Sequence, residues 1–131
     1  MNKDDIKLIE RASEIRKNAQ APFSKFYVGA ALLTENDEIF TGVNVESSSY
    51  SLTICAERVA LSKALSEGYT KFKKMAIVVD NKKLTPPCGA CRQLLYDYAP
   101  ELDIIISDGK GKTKEIKLIE LFPEPFGMDF L

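Results

Sequence analysis

The sequence predicts an α/β protein with three layers, α/β/α, in which helices cover both faces of a mixed five-stranded sheet in the order αββαβαββ. Two continuous runs of largely β-branched residues, at 75–80 and 102–107, predict strands that are buried on both faces. A stretch of helix formers separates them, and a strand, helix, strand order implies a right-handed parallel crossover. The sequence DGKG at 108–111 then turns too tightly for another crossover helix, so the last strand, at 113–118, is expected to be antiparallel.

The first element is predicted to be an amphipathic helix. Asn2 can cap its start together with Asp5, three residues later. Apolar residues then recur at helical spacing as far as about Ala19, and Pro22 breaks the pattern. This helix is therefore expected to place its apolar stripe on one face of the sheet.

The middle of the chain alternates between strand and helix patterns. Strands at 27–34 and 38–46 surround a short polar turn, which predicts a hairpin. Helix formers at 55–68 and 88–99 predict the second and third helices, and each of these segments begins with a cysteine. The aromatic tail at 121–131 is the only irregular stretch, and no repeat or linker interrupts the chain. We therefore expect a single domain over residues 1–131.

The composition excludes several classes of function. With 131 residues, 45% hydrophobic and 28% charged, the chain is typical of one soluble globular domain. The net charge is −1 with both signs interspersed, whereas a polynucleotide binder needs clustered basic residues. The charged first ten residues do not resemble a signal peptide, and no apolar run has transmembrane length. These features predict a cytoplasmic protein with a small, uncharged substrate. They also predict that it binds no polynucleotide and no membrane.

Three cysteines and an absence of histidine are the most informative feature of the composition. Cys55 opens the second predicted helix, while Cys88 and Cys91 share the first turn of the third. Backbone amides at a helix start favour the thiolate form, and three thiolates can hold zinc with a fourth position left open for water. Glu57 stands beside Cys55 as a carboxylate that is not a ligand. Arg58 can hydrogen-bond the sulfurs and offset their charge.

Two other interpretations fit part of this cysteine pattern. The CGAC segment alone is also typical of a dithiol redox motif at a helix start. A structural zinc site would need a fourth cysteine or a histidine, which this chain lacks. The third cysteine and the Cys-x-Glu unit at another helix start favour a catalytic Zn²⁺ site.

Three segments of the chain resemble the cytidine deaminase family. They read SKFYVGAAL, TGVNVESSSYSLTICAERVAL and PPCGACRQ, and the resemblance extends from about Ala21 to Phe126. It implies the three-layer fold of that family, the small homotetrameric branch, and zinc held by the three cysteines. It also implies that Glu57 is the catalytic residue that moves protons between water and the pyrimidine ring.

The resemblance also assigns substrate-binding residues. Asn44 and Glu46 lie two apart at a strand end, so they share a face, and the family uses such a pair for the sugar. Phe26 resembles the aromatic that packs on the pyrimidine, and Ala56 offers backbone groups to the substrate. Phe126 resembles a tail aromatic that reaches a neighbouring subunit. Taken alone, Asn44 and Glu46 are typical solvated residues, and the two aromatics are typical of packing within one chain.

The activity that the resemblance implies is hydrolytic, zinc-dependent deamination of cytidine and deoxycytidine to uridine and deoxyuridine, with release of ammonia, in pyrimidine salvage. A deaminase of a related nucleoside such as blasticidin S shares the zinc motifs and TGVN, although Glu46 and SKFYVGAAL favour cytidine. Polynucleotide deaminases resemble the chain less, because they usually carry histidine as the first ligand. A non-catalytic zinc or thiol-redox module would leave Glu57 without a role.

Overall fold

The structure is a computed structural model that describes residues 1–131. It contains five strands: β1 (Val28–Thr34), β2 (Ile39–Val43), β3 (Phe72–Val79), β4 (Asp103–Ser107) and β5 (Thr113–Lys117). Its four α-helices are α1 (Lys3–Ile15), α2 (Ala56–Ser66), α3 (Gly89–Tyr98) and α4 (Leu118–Leu121). Single 3-10 turns occur at Arg16–Asn18, Tyr50–Leu52 and Met128–Phe130. No helix has the length and apolar character that crossing a bilayer requires.

The five strands form one mixed sheet in the order β2-β1-β3-β4-β5. Strand β1 pairs antiparallel with both β2 and β3, β3 pairs parallel with β4, and β4 pairs antiparallel with β5. Helix α3 connects the two parallel strands, as the strand, helix, strand pattern requires. The predicted α/β class, the parallel crossover and the antiparallel last strand are confirmed.

Helices cover both faces of this sheet, which gives three layers. On one face, α1 packs over an apolar cluster that β1, β3 and β4 complete: Leu8, Ala12, Ala31, Leu33, Ala76, Val78 and Ile105. The opposite face carries α2 and α3 over the larger cluster, in which Leu32, Met75, Ile77, Leu61, Leu95 and Ile104 are buried. Successive residues of β1 contribute to opposite clusters because side chains alternate across a strand.

The start of α1 has the predicted cap. Asn2 Oδ1 accepts a hydrogen bond from Asp5 N at 2.9 Å, and Asp5 Oδ2 accepts one from Asn2 N at 3.4 Å. The helix ends at Ile15 and continues as a 3-10 turn to Asn18, so the helical pattern read as far as Ala19 includes that turn.

Besides the end of α1 and shifts of one or two residues elsewhere, the differences from the predicted boundaries concern β2, β3 and β5. Strand β2 ends at Val43 and not at 46, because Val45 leaves the sheet to form isolated bridges with Gln20 and Ile54. Strand β3 begins three residues early, at Phe72. The last strand ends at Lys117 and not at 118, since Leu118 opens the short helix α4 and is fully buried. In each case a partner distant in sequence sets the boundary.

Candidate active site

The three cysteines come together where α2 and α3 begin. Cys55 is the residue that precedes α2, Cys88 precedes α3, and Cys91 lies in the first turn of α3. Their sulfur atoms all lie within 4.8 Å of one another. The two helix starts converge because α2 and α3 pack on the same face of the sheet, and their N-terminal amides favour thiolates there.

The donor set fits zinc. Tetrahedral Zn–S bonds of about 2.3 Å place sulfurs roughly 3.8 Å apart, which is within the spacing seen here. Arg58 Nη2 lies 3.9 Å from Cys55 Sγ and donates to the Thr53 carbonyl at 3.0 Å. Arg58 Nε is buried with no hydrogen-bond partner. A guanidinium with an unpaired buried donor beside three thiols suits a site that carries thiolate charge.

Protonation is unequal among the sulfurs. The neighbouring Cys91 thiol, together with Arg58, lowers the pKa of Cys55 to about 5. The proximity of Cys55, reinforced by burial, raises the pKa of Cys91. Burial of Arg58 opposes its charge, but the hydrogen bond to Cys55 and the charges of the three cysteines together outweigh this and raise the pKa of the guanidinium. The surroundings of Cys55 therefore favour its thiolate, the form that binds metal.

Glu57 lies in the first turn of α2 and is only 5% exposed. Burial raises the pKa of its carboxyl to about 7, and the charge of Cys55 acts in the same direction. A carboxyl with this pKa can both accept and donate a proton near neutrality, which is the property of an acid–base catalyst.

These groups border a single cavity of about 250 Å³. Seven of the predicted site residues line it: Phe26, Asn44, Glu46, Cys55, Ala56, Glu57 and Cys88. Cys91 is fully buried behind this lining. The structure therefore brings the candidate ligands, the candidate acid–base residue and the candidate sugar-binding pair to one cavity.

The polar pair on the strand β2 side is more constrained than a solvated strand end. Asn44 Oδ1 accepts from Val28 N at 2.9 Å, and Asn44 Nδ2 donates to the Phe26 carbonyl at 2.7 Å. Glu46 Oε1 accepts from the backbone amides of Phe23 and Ser24 at 3.1 and 3.0 Å. Both side chains therefore fasten the loop that carries Phe26 to the cavity wall.

Glu46 also accepts a hydrogen bond from the Ser24 hydroxyl, through Oε2. This bond, with that from the Ser24 amide, lowers the pKa of the Glu46 carboxyl, so the side chain is ionised at neutral pH. An ionised carboxylate is an acceptor only, which suits it to a hydroxyl donor on a ligand.

Phe126 is the one predicted site residue that lies away from the cavity. Its ring stacks on Phe130 with centroids 5.7 Å apart, and its carbonyl accepts from Gln93 Nε2 at 2.9 Å. The side chain is 55% exposed. Its predicted reach into a neighbouring subunit stays a prediction.

The structure adds six lining residues that the sequence interpretation did not single out: Val28, Thr53, Ile77, Val79, Thr85 and Pro86. Ile77 and Val79 belong to a strand that the sequence predicts to be buried. They are two residues apart, so their side chains share one face of the sheet, and this spacing is the signal that the sequence offers. Thr85 and Pro86 directly precede the PCGAC segment, so adjacency was the available signal. Thr53 had no signal of its own.

Comparison with known proteins agrees with this geometry. Residues 2–105 match the family model described as cytidine and deoxycytidylate deaminase zinc-binding region. A cytidine deaminase of Sporosarcina psychrophila is 41% identical over 129 residues, covering 98% of this chain and 95% of the relative. The blasticidin-S deaminase of Bacillus cereus is 33% identical over 131 residues, covering 94% and 92%.

Among solved structures, the cytidine deaminase of Burkholderia pseudomallei superposes with a TM-score of 0.89 at 39% identity, covering 96% of this chain and 100% of that one. The family model covers most of the sequence and carries the cysteine cluster that fits Zn²⁺. The chain belongs to the zinc-binding cytidine and deoxycytidylate deaminase family.

Proposed function

We propose that the protein deaminates free cytidine and deoxycytidine by hydrolysis, releasing ammonia and forming uridine and deoxyuridine for pyrimidine salvage. The observation that carries this proposal is the position of Glu57, whose buried carboxyl borders the same cavity as Cys55 and Cys88. Family membership supports the same reaction type.

Cys55, Cys88 and Cys91 would hold Zn²⁺ from the starts of α2 and α3. When bound there, the ion supplies a Lewis acid that makes water acidic enough to act as a nucleophile near neutral pH. Arg58 limits the charge that three thiolates would otherwise accumulate, through its contact with Cys55 Sγ.

Glu57 moves the protons of the reaction. Its carboxylate accepts a proton from the attacking water and delivers it to N3 of the pyrimidine. A second proton from water then passes through the same carboxyl to the exocyclic nitrogen, which leaves as ammonia. One carboxyl can serve both transfers because it returns to its ionised form after each proton is delivered, and burial favours the neutral form that donates.

The remaining lining residues would orient the nucleoside. Glu46 has an acceptor site free for a sugar hydroxyl, and Asn44 Nδ2 has one N–H left after its bond to the Phe26 carbonyl. Phe26 offers an apolar ring to the pyrimidine, and Ala56 offers backbone groups between Cys55 and Glu57.

The cavity supports an uncharged, small substrate. Its lining includes two carboxyl groups, those of Glu46 and Glu57, and no lysine or arginine. A polynucleotide would bring phosphates that need cationic partners. Blasticidin S is the rival substrate, since the Bacillus cereus relative carries that name.

We place the protein in the cytoplasm as a homotetramer. Three free cysteines favour a reducing compartment. Exposed apolar side chains support self-association, and they include Tyr50, Leu52, Phe126, Met128, Phe130 and Leu131. Sedimentation of the purified protein tests the tetramer, and a monomer at micromolar concentration would contradict it.

One assay tests the activity. Purified protein is given cytidine, deoxycytidine or blasticidin S, turnover is followed by absorbance, and zinc is measured on the same sample. Rapid turnover of the first two with one zinc per chain is expected. Zinc-loaded protein that leaves cytidine unchanged would refute the proposal, and faster turnover of blasticidin S would favour its rival.

A further inference from the structure

Ser24 occupies a central position in the loop between the first helix and β1. Its hydroxyl donates to Glu46 Oε2 and accepts from the Phe26 amide at 3.0 Å. Its own amide donates to Glu46 Oε1 at 3.0 Å. One small side chain therefore joins the candidate sugar-binding carboxylate to the candidate ring-packing aromatic.

Packing covers neither of those two groups completely. The Phe26 side chain is 40% exposed, and Glu46 is only partly covered. Between Ser24 and Phe26, Lys25 has a φ of 60°, a left-handed conformation that is uncommon for a residue with a side chain. Hydrogen bonds on either side of Lys25 must therefore hold the turn, and Ser24 supplies three of them.

The network leaves binding capacity unused at the right atoms. Glu46 Oε1 accepts two amides, whereas Oε2 accepts only the Ser24 hydroxyl. A carboxylate oxygen has room for a second donor, so Oε2 can take a ligand hydroxyl while Ser24 fixes its direction. Asn44 holds the Phe26 carbonyl from the other side.

We propose that Ser24 is a positioning residue for substrate binding, which sets Glu46 and Phe26 in their binding geometry before the substrate arrives. This inference rests on the proposed deamination of cytidine. Ser24 does not border the sulfur cluster, so its contribution should be to binding in the ground state and the transition state alike, and not to the proton transfers.

The test compares Ser24→Ala with Ser24→Thr, and uses Ser47→Ala as the matched control. Ser47 is a nearby serine whose hydroxyl accepts from the Ser49 amide. For cytidine, Ser24→Ala should raise KM on the order of tenfold, the effect of losing one or two hydrogen bonds, with kcat within about twofold. Ser24→Thr keeps the hydroxyl and should restore KM, and Ser47→Ala should match the wild type. Zinc content should not change in any variant.

A double-mutant cycle identifies the route of the effect. If Ser24 acts through Glu46, Ser24→Ala should raise KM by much less in a Glu46→Gln background than in the wild type. Unchanged KM in Ser24→Ala, equal effects in both backgrounds, or a fall in kcat alone would overturn the proposal. Wild-type protein that binds zinc but does not deaminate cytidine would instead overturn the proposed function.

Discussion

The two faces of the sheet use the same packing device for different purposes. A Cβ on Gly29 would lie 2.1 Å from the Ala12 carbonyl oxygen of α1, and a Cβ on Gly42 would lie 2.4 Å from the Ala56 carbonyl oxygen of α2. Each glycine therefore lets a helix backbone touch the sheet directly. Helix α1 makes this contact through its last turns, whereas α2 makes it through its first turn, beside Cys55.

The buried carboxyl groups differ in the same way. Asp5, in the first turn of α1, is 3% exposed and pairs with Lys74 Nζ at 2.6 Å. Lys74 also contacts Glu115 at 3.0 Å. Glu57, in the first turn of α2, is buried to a similar extent and forms no ion pair, so burial raises its pKa. On the α1 face an ion pair neutralises the buried carboxylate. On the α2 face the buried carboxyl has no such partner and can gain or lose a proton. The ion-paired carboxylate and the carboxyl with a raised pKa thus lie on opposite faces of one sheet.

The largest expected effect comes from replacing the two buried carboxyl groups in turn. Glu57→Ala should lower kcat by about 10⁴-fold, because the proton path is removed, while zinc content and the unfolding free energy stay near wild type. Asp5→Asn should do the reverse, lowering the unfolding free energy by about 1–3 kcal/mol because Lys74 loses its buried partner and keeps only the more exposed Glu115, with kcat maintained.

Kinetics with metal analysis, and denaturant unfolding of the same samples, check this pair. Wild-type turnover in Glu57→Ala would remove the catalytic assignment. A matching loss of kcat in Asp5→Asn would contradict the division between the faces.

The next effect concerns the metal. Cys55→Ser should weaken Zn²⁺ binding by more than the roughly 10- to 100-fold that changes outside the ligand shell cause, because α2 then supplies no sulfur. Competition against a chelator measures the affinity. With excess chelator, wild type and variant should unfold with similar free energies, and unchanged zinc affinity would exclude Cys55 as a ligand.

The two close-packed glycines provide a smaller but sharper contrast. Gly29→Ala and Gly42→Ala should each lower the unfolding free energy by about 1–3 kcal/mol, since a methyl group is forced against a helix backbone. Only Gly42→Ala should also lower kcat, on the order of 100-fold, because it displaces the turn that carries Cys55 and Glu57. The measurement is kcat per folded, zinc-loaded molecule. Equal kcat in both variants would show that the first turn of α2 tolerates displacement.

The smallest effect is a pH dependence confined to the α1 face. Burial of Lys74 disfavours its charge, but hydrogen bonds to Asp5 and Glu115 outweigh this and raise its pKa. The folded-state pKa then exceeds the unfolded value of about 10.4, so the stabilisation is complete below that pH and is lost as pH rises through the folded pKa.

Unfolding free energies measured between neutral and strongly alkaline pH should show this loss in the wild type and less of it in Lys74→Met. An equal alkaline slope in the two proteins would assign the loss to other groups.

Much of the fold could be predicted because its signals are local. The α1 cap needs only Asn2 and Asp5, the parallel pairing of β3 with β4 follows from one crossover, and the antiparallel last strand follows from one tight turn. The position of the β1–β2 hairpin beside β3 has no such local signal. The predicted strand boundaries were wrong where residues distant in sequence pair with the chain. Val45, for example, lies outside β2 because it forms bridges with Gln20 and Ile54. The same is true of the site residues. A sequence motif identifies Cys88, whereas nothing in the local sequence indicates that Thr53 lines the cavity.

The sequence by itself determined the element order and the chemistry that the cysteines and Glu57 can perform, because residue type and helix position decide thiolate and carboxylate behaviour. Only the tertiary structure decided how these groups are used. In the folded chain Glu57 is buried without an ion-pair partner, whereas the buried Asp5 pairs with a lysine. Glu46 accepts a hydrogen bond from Ser24, which is 22 residues away in sequence. The physical reason is that desolvation and hydrogen bonding depend on neighbours in space, which only packing of the helices on the sheet supplies.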